Sequence, residues 1–178
     1  MLLERLGLPF ETCAPEVDET PRDKEPPREL VARLAEAKAR AVADRYPDAL
    51  IIGSDQVSVV EGQIVGKPGD HATAVEQLKR ASGKRVVFLT ALCLLNSRSG
   101  RRQLDVVPFE VTFRQLSESQ IENYLRKDKP YNCAGSFRSE SLGIALFERM
   151  TGDDPNALVG LPLIRLIGML ENEGVCVI

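Results

Sequence analysis

The sequence is poor in the residues that build zinc sites and Cys–His catalytic pairs. Its 178 residues include one histidine, His71, and four cysteines at positions 13, 93, 133 and 176, none of them in a C-x-x-C pair. Structural zinc sites need about four such ligands, usually paired at short spacings, and a Cys–His catalytic pair would depend on the single histidine, so the sequence favours neither. This cysteine usage favours a reduced, cytoplasmic protein.

Long apolar runs and a basic surplus are also missing. No stretch approaches the roughly 18 apolar residues that indicate a membrane-spanning helix, and we expect neither a membrane partner nor a secretion signal. The net charge of −3 argues against a nucleic acid polymer as partner, since such binders usually carry excess Lys and Arg. A small anionic ligand stays open, because it needs only a local group of cations.

Several well-known nucleotide and hydrolase motifs are absent. The segment 62–68 superficially resembles a P-loop, but its glycines are one residue too close, and Pro68 stands where a Ser or Thr would hold magnesium. There is no G-x-G-x-x-G to indicate a dinucleotide site. There is also no G-x-S-x-G, and a lone histidine gives a Ser–His–Asp triad weak support.

What is present predicts one domain over residues 1–178, of α/β or α+β class. A hydrophobic fraction of 43% is enough for a sizeable core. Apolar spacing, turn residues and caps predict a mixed sheet flanked by helices. The predicted helices span 1–7, 27–45, 70–81, 117–126 and 160–171, and the predicted strands span 9–14, 50–53, 57–65 as a hairpin, 86–96, 103–113, part of 133–140 and 144–150.

The run Leu50-Ile51-Ile52-Gly53 leads directly into Ser54-Asp55-Gln56. We expect a short core strand that ends by presenting Asp55 at the edge of the sheet, with Lys67 of the following Gly66-Lys67-Pro68 turn returning nearby. An acid and a cation on rigid elements suit a polyanion and a metal. The alternative is a turn-forming Asp55 and a solvated Lys67.

Other charges could join them. Glu16, Asp18 and Glu19 cluster in an acidic loop, Lys38 lies on the long helix, and Glu140 lies in a segment rich in small residues. Carboxylates hold hard divalent cations through oxygen, and lysines offset phosphate charge, so this mixture suits metal-assisted phosphoryl chemistry. Composition alone favours the simpler interpretation, a solvated charged surface.

Six short motifs, taken in order, resemble those of the Maf-like nucleotide pyrophosphatases. They are Glu16-Val17-Asp18-Glu19, Lys38-Ala39, Ile52-Gly53-Ser54-Asp55, Gly66-Lys67-Pro68, Ala134-Gly135 and Gly160-Leu161-Pro162. The resemblance implies a two-lobed Maf/ITPase-like fold around a long mixed sheet. It also implies hydrolysis of a nucleoside triphosphate to the monophosphate and pyrophosphate with a divalent cation, Mg²⁺ or Mn²⁺, as a house-cleaning reaction.

Within that family the chain looks like the YceF branch, whose preferred substrate is 7-methyl-GTP. The branch that prefers dTTP and UTP has Thr after the catalytic Asp, where this chain has Gln56. The resemblance implies that Asp55 accepts the proton from water and that Gln56 and Glu140 tune base selection. It further implies that Lys38 and Lys67 contact phosphates and that Asp18 and Asp55 lie near the metal.

One departure leaves alternatives open. The family begins with a strand and a Ser-x-Ser-x-x-Arg motif that grips the phosphates, and this sequence starts at the equivalent of the following helix. We therefore expect an N-terminally truncated member. The alternatives are a dTTP/UTP pyrophosphatase, a non-catalytic nucleotide-binding or regulatory protein, and a purely structural module. A homodimer is common in the family.

Overall fold

Residues 2–178 are described by a computed structural model. The strands are β1 (Leu50–Val60), β2 (Gln63–Val65), β3 (Arg85–Asn96), β4 (Arg102–Phe113) and β5 (Phe147–Thr151). The helices are α1 (Pro27–Arg40), α2 (His71–Ala81), α3 (Glu118–Asp128), α4 (Pro155–Val159) and α5 (Leu163–Glu171). Short 3₁₀ helices lie at Leu3–Leu6, Ala43–Arg45, Ala134–Ser136 and Leu142–Leu146. No helix formed by residues 2–178 is long and apolar enough to cross a membrane.

The five strands form one sheet in the order β2-β1-β3-β4-β5. Helices flank this sheet, which confirms the α/β prediction. The prediction of a mixed sheet was wrong, because all four strand pairings are antiparallel. Tight hairpins join β1 to β2 and β3 to β4, and α2 brings the chain back so that β3 runs opposite to β1. No connection among these strands makes the crossover that a parallel pair requires.

The strand that carries Asp55 is much longer than predicted. β1 runs without a break from Leu50 to Val60, paired with β3 from Leu50↔Asn96 to Val60↔Val86. Asp55 therefore lies in the middle of a strand and not at its end. The predicted hairpin at 57–65 is confirmed, with β2 pairing to the last three residues of β1 across the Glu61-Gly62 turn.

Both faces of the central strands are covered, which explains the long apolar run of β3. Ala91, Cys93 and Leu95 pack with α1, while Leu92 and Leu94 pack with α5 on the other face. A third cluster fills the space between the sheet and helices α2 and α3. In it, the ring of Phe137 makes edge-to-face contacts with three other phenylalanine rings, Phe88, Phe113 and Phe147.

Locally determined helix ends were predicted well. Asp70 caps α2, Ser117 and Gln120 form the capping box of α3, and α1 begins at Pro27. Other predictions were wrong. Helix α1 ends at Arg40 rather than near Arg45, no strand forms at 9–14, and 133–140 contains a 3₁₀ turn and no strand. The strand predicted at 144–150 starts only at Phe147, after a 3₁₀ helix.

Candidate active site

A cavity of about 540 Å³ opens between α1, β1, the turn after β2 and the loop 132–140. It lies beside the middle of β1, at residues 54–57, with which β2 does not pair. Five predicted site residues line it: Lys38, Asp55, Gln56, Lys67 and Glu140. Residues from four separate stretches of chain thus meet around one space.

Alternation along β1 sends neighbouring side chains to opposite faces. Gly53 and Asp55 face α1, while Ser54 and Gln56 face α4 and the residues that follow it. Helix α1 lies directly on the backbone at Gly53, where an added Cβ would be 2.2 Å from the carbonyl oxygen of Ala35. Only glycine allows this approach, and it places Lys38, one turn along α1 from Ala35, against Asp55.

Lys38 lies between two carboxylates. Its Nζ is 2.6 Å from Oδ1 of Asp55 and 2.8 Å from Oε1 of Glu19. Burial alone would lower the pKa of Lys38, but the hydrogen bonds to Asp55 and Glu19 outweigh burial and raise it. Burial raises the pKa of Asp55, and the Lys38 ammonium offsets only part of that increase. The result is a charged lysine beside a carboxylate whose proton affinity is above normal.

The acidic loop contributes Glu19 to the cavity and not Asp18. Asp18 Oδ1 accepts the backbone N–H of Thr20 at 2.9 Å, and this side chain does not line the cavity. Hydrogen bonding to Thr20 lowers the pKa of Asp18, as expected for a loop-capping carboxylate. Of the two adjacent acids, Glu19 is therefore the one beside Asp55 and Lys38.

Ser54 and Gln56 connect β1 to the segment that contains α4. Ser54 Oγ lies 2.8 Å from the carbonyl oxygen of Gly160, and Gln56 Nε2 lies 2.7 Å from that of Ala157. The Thr90 hydroxyl of β3 donates to the same Ala157 oxygen at 2.8 Å. These bonds fix the orientation of the Gln56 carboxamide at the cavity wall.

Lys67 and Glu140 lie exposed on the rim of the cavity. Among residues 2–178, Lys67 takes part in no ion pair, and Glu140 contacts only the neighbouring Ser139 hydroxyl, at 3.4 Å. Gly66 and Gly135 bring their two loops together through a backbone hydrogen bond of 3.3 Å. Both charges are thus free to contact a ligand while their loops are held in place.

The residues fit a divalent cation only if the ligand supplies part of its coordination. Within residues 2–178, no three His, Cys, Asp or Glu side chains are arranged to hold a metal by themselves. Glu19 and Asp55 are nevertheless both within 3 Å of one point, the Lys38 ammonium. Mg²⁺ is commonly held by one or two carboxylates plus substrate phosphates, which matches this pair.

Sequence reasoning missed Arg138, which lines the cavity beside Glu140. Its guanidinium is paired with Asp128, ten residues earlier, through Nη2 and Oδ1 at 3.1 Å. No motif marks this pair. The only available signal was an unexplained Arg within a segment rich in small residues.

Comparison with known proteins covers nearly the whole chain. The model of a family described as "Maf-like protein" matches residues 1–173. A protein of Nitrosococcus oceani named 7-methyl-GTP pyrophosphatase is 61% identical over 173 residues, which are 97% of this chain and 87% of that protein. These matches confirm the resemblance inferred from the six ordered motifs.

Proposed function

Because this chain belongs to the Maf-like protein family, we propose that it hydrolyses 7-methyl-GTP to 7-methyl-GMP and pyrophosphate. The name of its relative from N. oceani supports the choice of nucleotide. The observation that carries the reaction type is the Lys38–Asp55 pair, held between a helix and a strand inside the cavity. A volume of about 540 Å³ lies within the usual range for small-molecule sites.

In the proposed reaction, Asp55 accepts a proton from the water that attacks the α-phosphorus. A general base works best when its pKa is closer to the working pH, and burial moves the Asp55 pKa in that direction. Lys38 and Lys67 both line the cavity and would offset the charge of the triphosphate. The bond between the α-phosphorus and the bridging oxygen breaks, and pyrophosphate leaves with that oxygen.

The base end of the nucleotide would lie towards Gln56 and Glu140. Methylation at N7 gives guanine a positive charge, and a carboxylate at the rim lowers the energy of a cation placed beside it. Glu140 is exposed and forms no ion pair within residues 2–178, so its charge is available. Gln56 presents a carboxamide whose orientation is fixed by α4.

A divalent cation is part of the proposal, with Glu19 and Asp55 as its protein ligands. When bound together with the triphosphate, it would neutralise phosphate charge that the two lysines leave uncompensated. Asp18, expected at this position from the family resemblance, instead caps its own loop.

The direct test is pyrophosphate release by the full-length protein from a panel of 7-methyl-GTP, GTP, dTTP, UTP and ATP. We expect the highest kcat/KM with 7-methyl-GTP. Preference for dTTP and UTP would identify the other branch of the family. Nucleotide binding by calorimetry without release from any triphosphate would contradict the proposed hydrolysis and favour a binding protein.

The position of Glu19 predicts a specific effect on metal dependence. Glu19→Gln should raise the Mg²⁺ concentration needed for half-maximal activity roughly tenfold, because a neutral amide is a much weaker ligand than a carboxylate. Titration of the rate with Mg²⁺ at saturating nucleotide measures this shift.

Asp18→Asn is the matched control, one residue away in the same loop. It should leave the Mg²⁺ midpoint within about twofold of the parent, since the loop-capping oxygen is retained. A larger shift for Asp18→Asn than for Glu19→Gln would show that Asp18, and not Glu19, is the metal ligand.

A further inference from the structure

A buried carboxylate outside the cavity holds the loop that carries Glu140. We infer that Asp128, the last residue of α3, is a positioning residue for recognition of the base: it fixes the Glu140 loop and neutralises Arg138, so that the base end of the cavity presents a negative charge. The inference rests on the proposed function and extends it to the origin of nucleotide preference.

Asp128 accepts side-chain hydrogen bonds from two residues of the Glu140 loop and from Tyr124 of its own helix. Oδ2 accepts the hydroxyls of Tyr124 at 2.8 Å and Ser141 at 2.9 Å, and Oδ1 accepts Nη2 of Arg138 at 3.1 Å. The Asp128 side chain is 7% exposed. Burial alone would raise the pKa of Asp128, but the bonds from Tyr124, Ser141 and Arg138 lower it, so the group is a carboxylate.

These contacts lie on both sides of Glu140. Arg138, which lines the cavity, and Ser141 flank the dipeptide Ser139-Glu140, and both donate hydrogen bonds to the Asp128 carboxylate. The backbone N–H of Arg138 also donates to the Tyr124 hydroxyl at 3.2 Å. Gly143 closes the turn, where a Cβ would lie 2.1 Å from the Arg138 carbonyl oxygen. Glu140 thus lies at the tip of a short loop whose two ends are hydrogen-bonded to Asp128.

The charges have a direct consequence for the ligand. Arg138 lines the cavity, and without a counter-ion its guanidinium would repel a cationic purine. Asp128 compensates that charge from behind the loop, so Arg138 does not offset the charge of Glu140, which forms no ion pair within residues 2–178. The arrangement favours an N7-alkylated purine over its neutral parent.

The test compares Asp128→Asn with the parent on 7-methyl-GTP and GTP. Asparagine keeps the size of the side chain and removes the charge. We expect KM for 7-methyl-GTP to rise roughly tenfold with kcat within about twofold, the loss of a charge-assisted bond acting on binding rather than chemistry. KM for GTP should change much less, so the preference between the two nucleotides falls by about the same factor.

Glu173→Gln is the matched control. Glu173 is also a buried carboxylate, 6% exposed, and it pairs with Arg101 and accepts from Asn96 and Gln103, none of which lines the cavity. Loss of stability alone would lower the apparent kcat of both variants for both nucleotides and leave KM unchanged. Only the positioning role changes KM selectively.

A second variant covers the case in which Asp128→Asn does not fold. Ser141→Ala removes one hydroxyl from Oδ2, and a threefold rise in KM for 7-methyl-GTP is expected, roughly the cost of one neutral hydrogen bond. If the parent is active and a folded variant has the same KM and kcat as Glu173→Gln for both nucleotides, the inference about Asp128 is wrong while the proposed function stands. A parent that releases pyrophosphate from no triphosphate contradicts the proposed function and the inference with it.

Discussion

Asp55→Asn should lower kcat for pyrophosphate release by roughly 10²- to 10⁴-fold, the range that general bases contribute. In the parent, Lys38 Nζ lies 2.6 Å from Asp55 Oδ1. Asparagine has nearly the same shape as aspartate, and its side-chain oxygen can still accept this hydrogen bond. The change therefore removes the proton acceptor and leaves the cavity wall in place. Single-turnover measurement at saturating nucleotide separates the chemical step from binding.

The pH profile provides a second signature of the same residue. Burial raises the pKa of Asp55, and only the ionised form accepts a proton, so kcat/KM should increase with pH through that raised pKa. The Lys38 pKa is raised as well, so the lysine stays charged above this range. Asp55→Asn should abolish the acid limb of the profile.

Asp105→Asn is the control for this experiment. Asp105 lies on β4 of the same sheet and pairs with Arg165 at 2.7 Å, away from the cavity. Its kcat should stay within about twofold of the parent, as for most partly exposed ion pairs. Equal rates for Asp55→Asn and Asp105→Asn would exclude Asp55 as the base.

Gly53→Ala should be strongly destabilising, by about 3 kcal/mol or more in the free energy of unfolding. The new Cβ would lie 2.2 Å from the Ala35 carbonyl oxygen and 2.9 Å from the Ala39 backbone nitrogen. Neither is the end of a flexible side chain, so α1 must move away from β1, and such overpacking is costly. Thermal unfolding should show a midpoint lowered by roughly 6–12 °C for a chain of this size.

Gly168→Ala tests whether the effect is specific. Gly168 lies in α5 with no atom within 4 Å of an added Cβ, so alanine should raise stability by about 0.5–1 kcal/mol through helix propensity. If Gly53→Ala were as stable as the parent, α1 could not lie on β1 as described. We expect the free energy of unfolding to fall for Gly53→Ala and to rise for Gly168→Ala.

Local signals predicted local structure well, whereas long-range pairing was missed. Asp70 and the Ser117–Gln120 box act within one helical turn, so their effect can be read from adjacent residues. The length of β1 could not be read this way. Ser54-Asp55-Gln56 has the polarity of a turn, yet pairing with β3 and contacts to α1 and α4 keep it extended.

The same distinction applies to the site. The ordered motifs selected Lys38, Asp55 and Lys67, and the resemblance to one branch of the family added Gln56 and Glu140. The structure brings these five residues around one cavity. They could not separate Asp18 from Glu19, since loop conformation decides which carboxylate points inward. The role of Asp128 could not be predicted from the sequence for another reason. Its partners are brought to it by the turn of the loop rather than by any spacing in the sequence.

Gly53 also restricts the register in which β1 can pair with β3. A slip of β1 by one residue against β3 would exchange the two faces, turning Asp55 away from Lys38 and Gln56 away from α4. The same slip would place Ile52 or Ser54 beneath Ala35, where only glycine fits. A strand misaligned in this way could not pack against α1 as it does here, so the contact at Gly53 favours the register in which Asp55 faces Lys38.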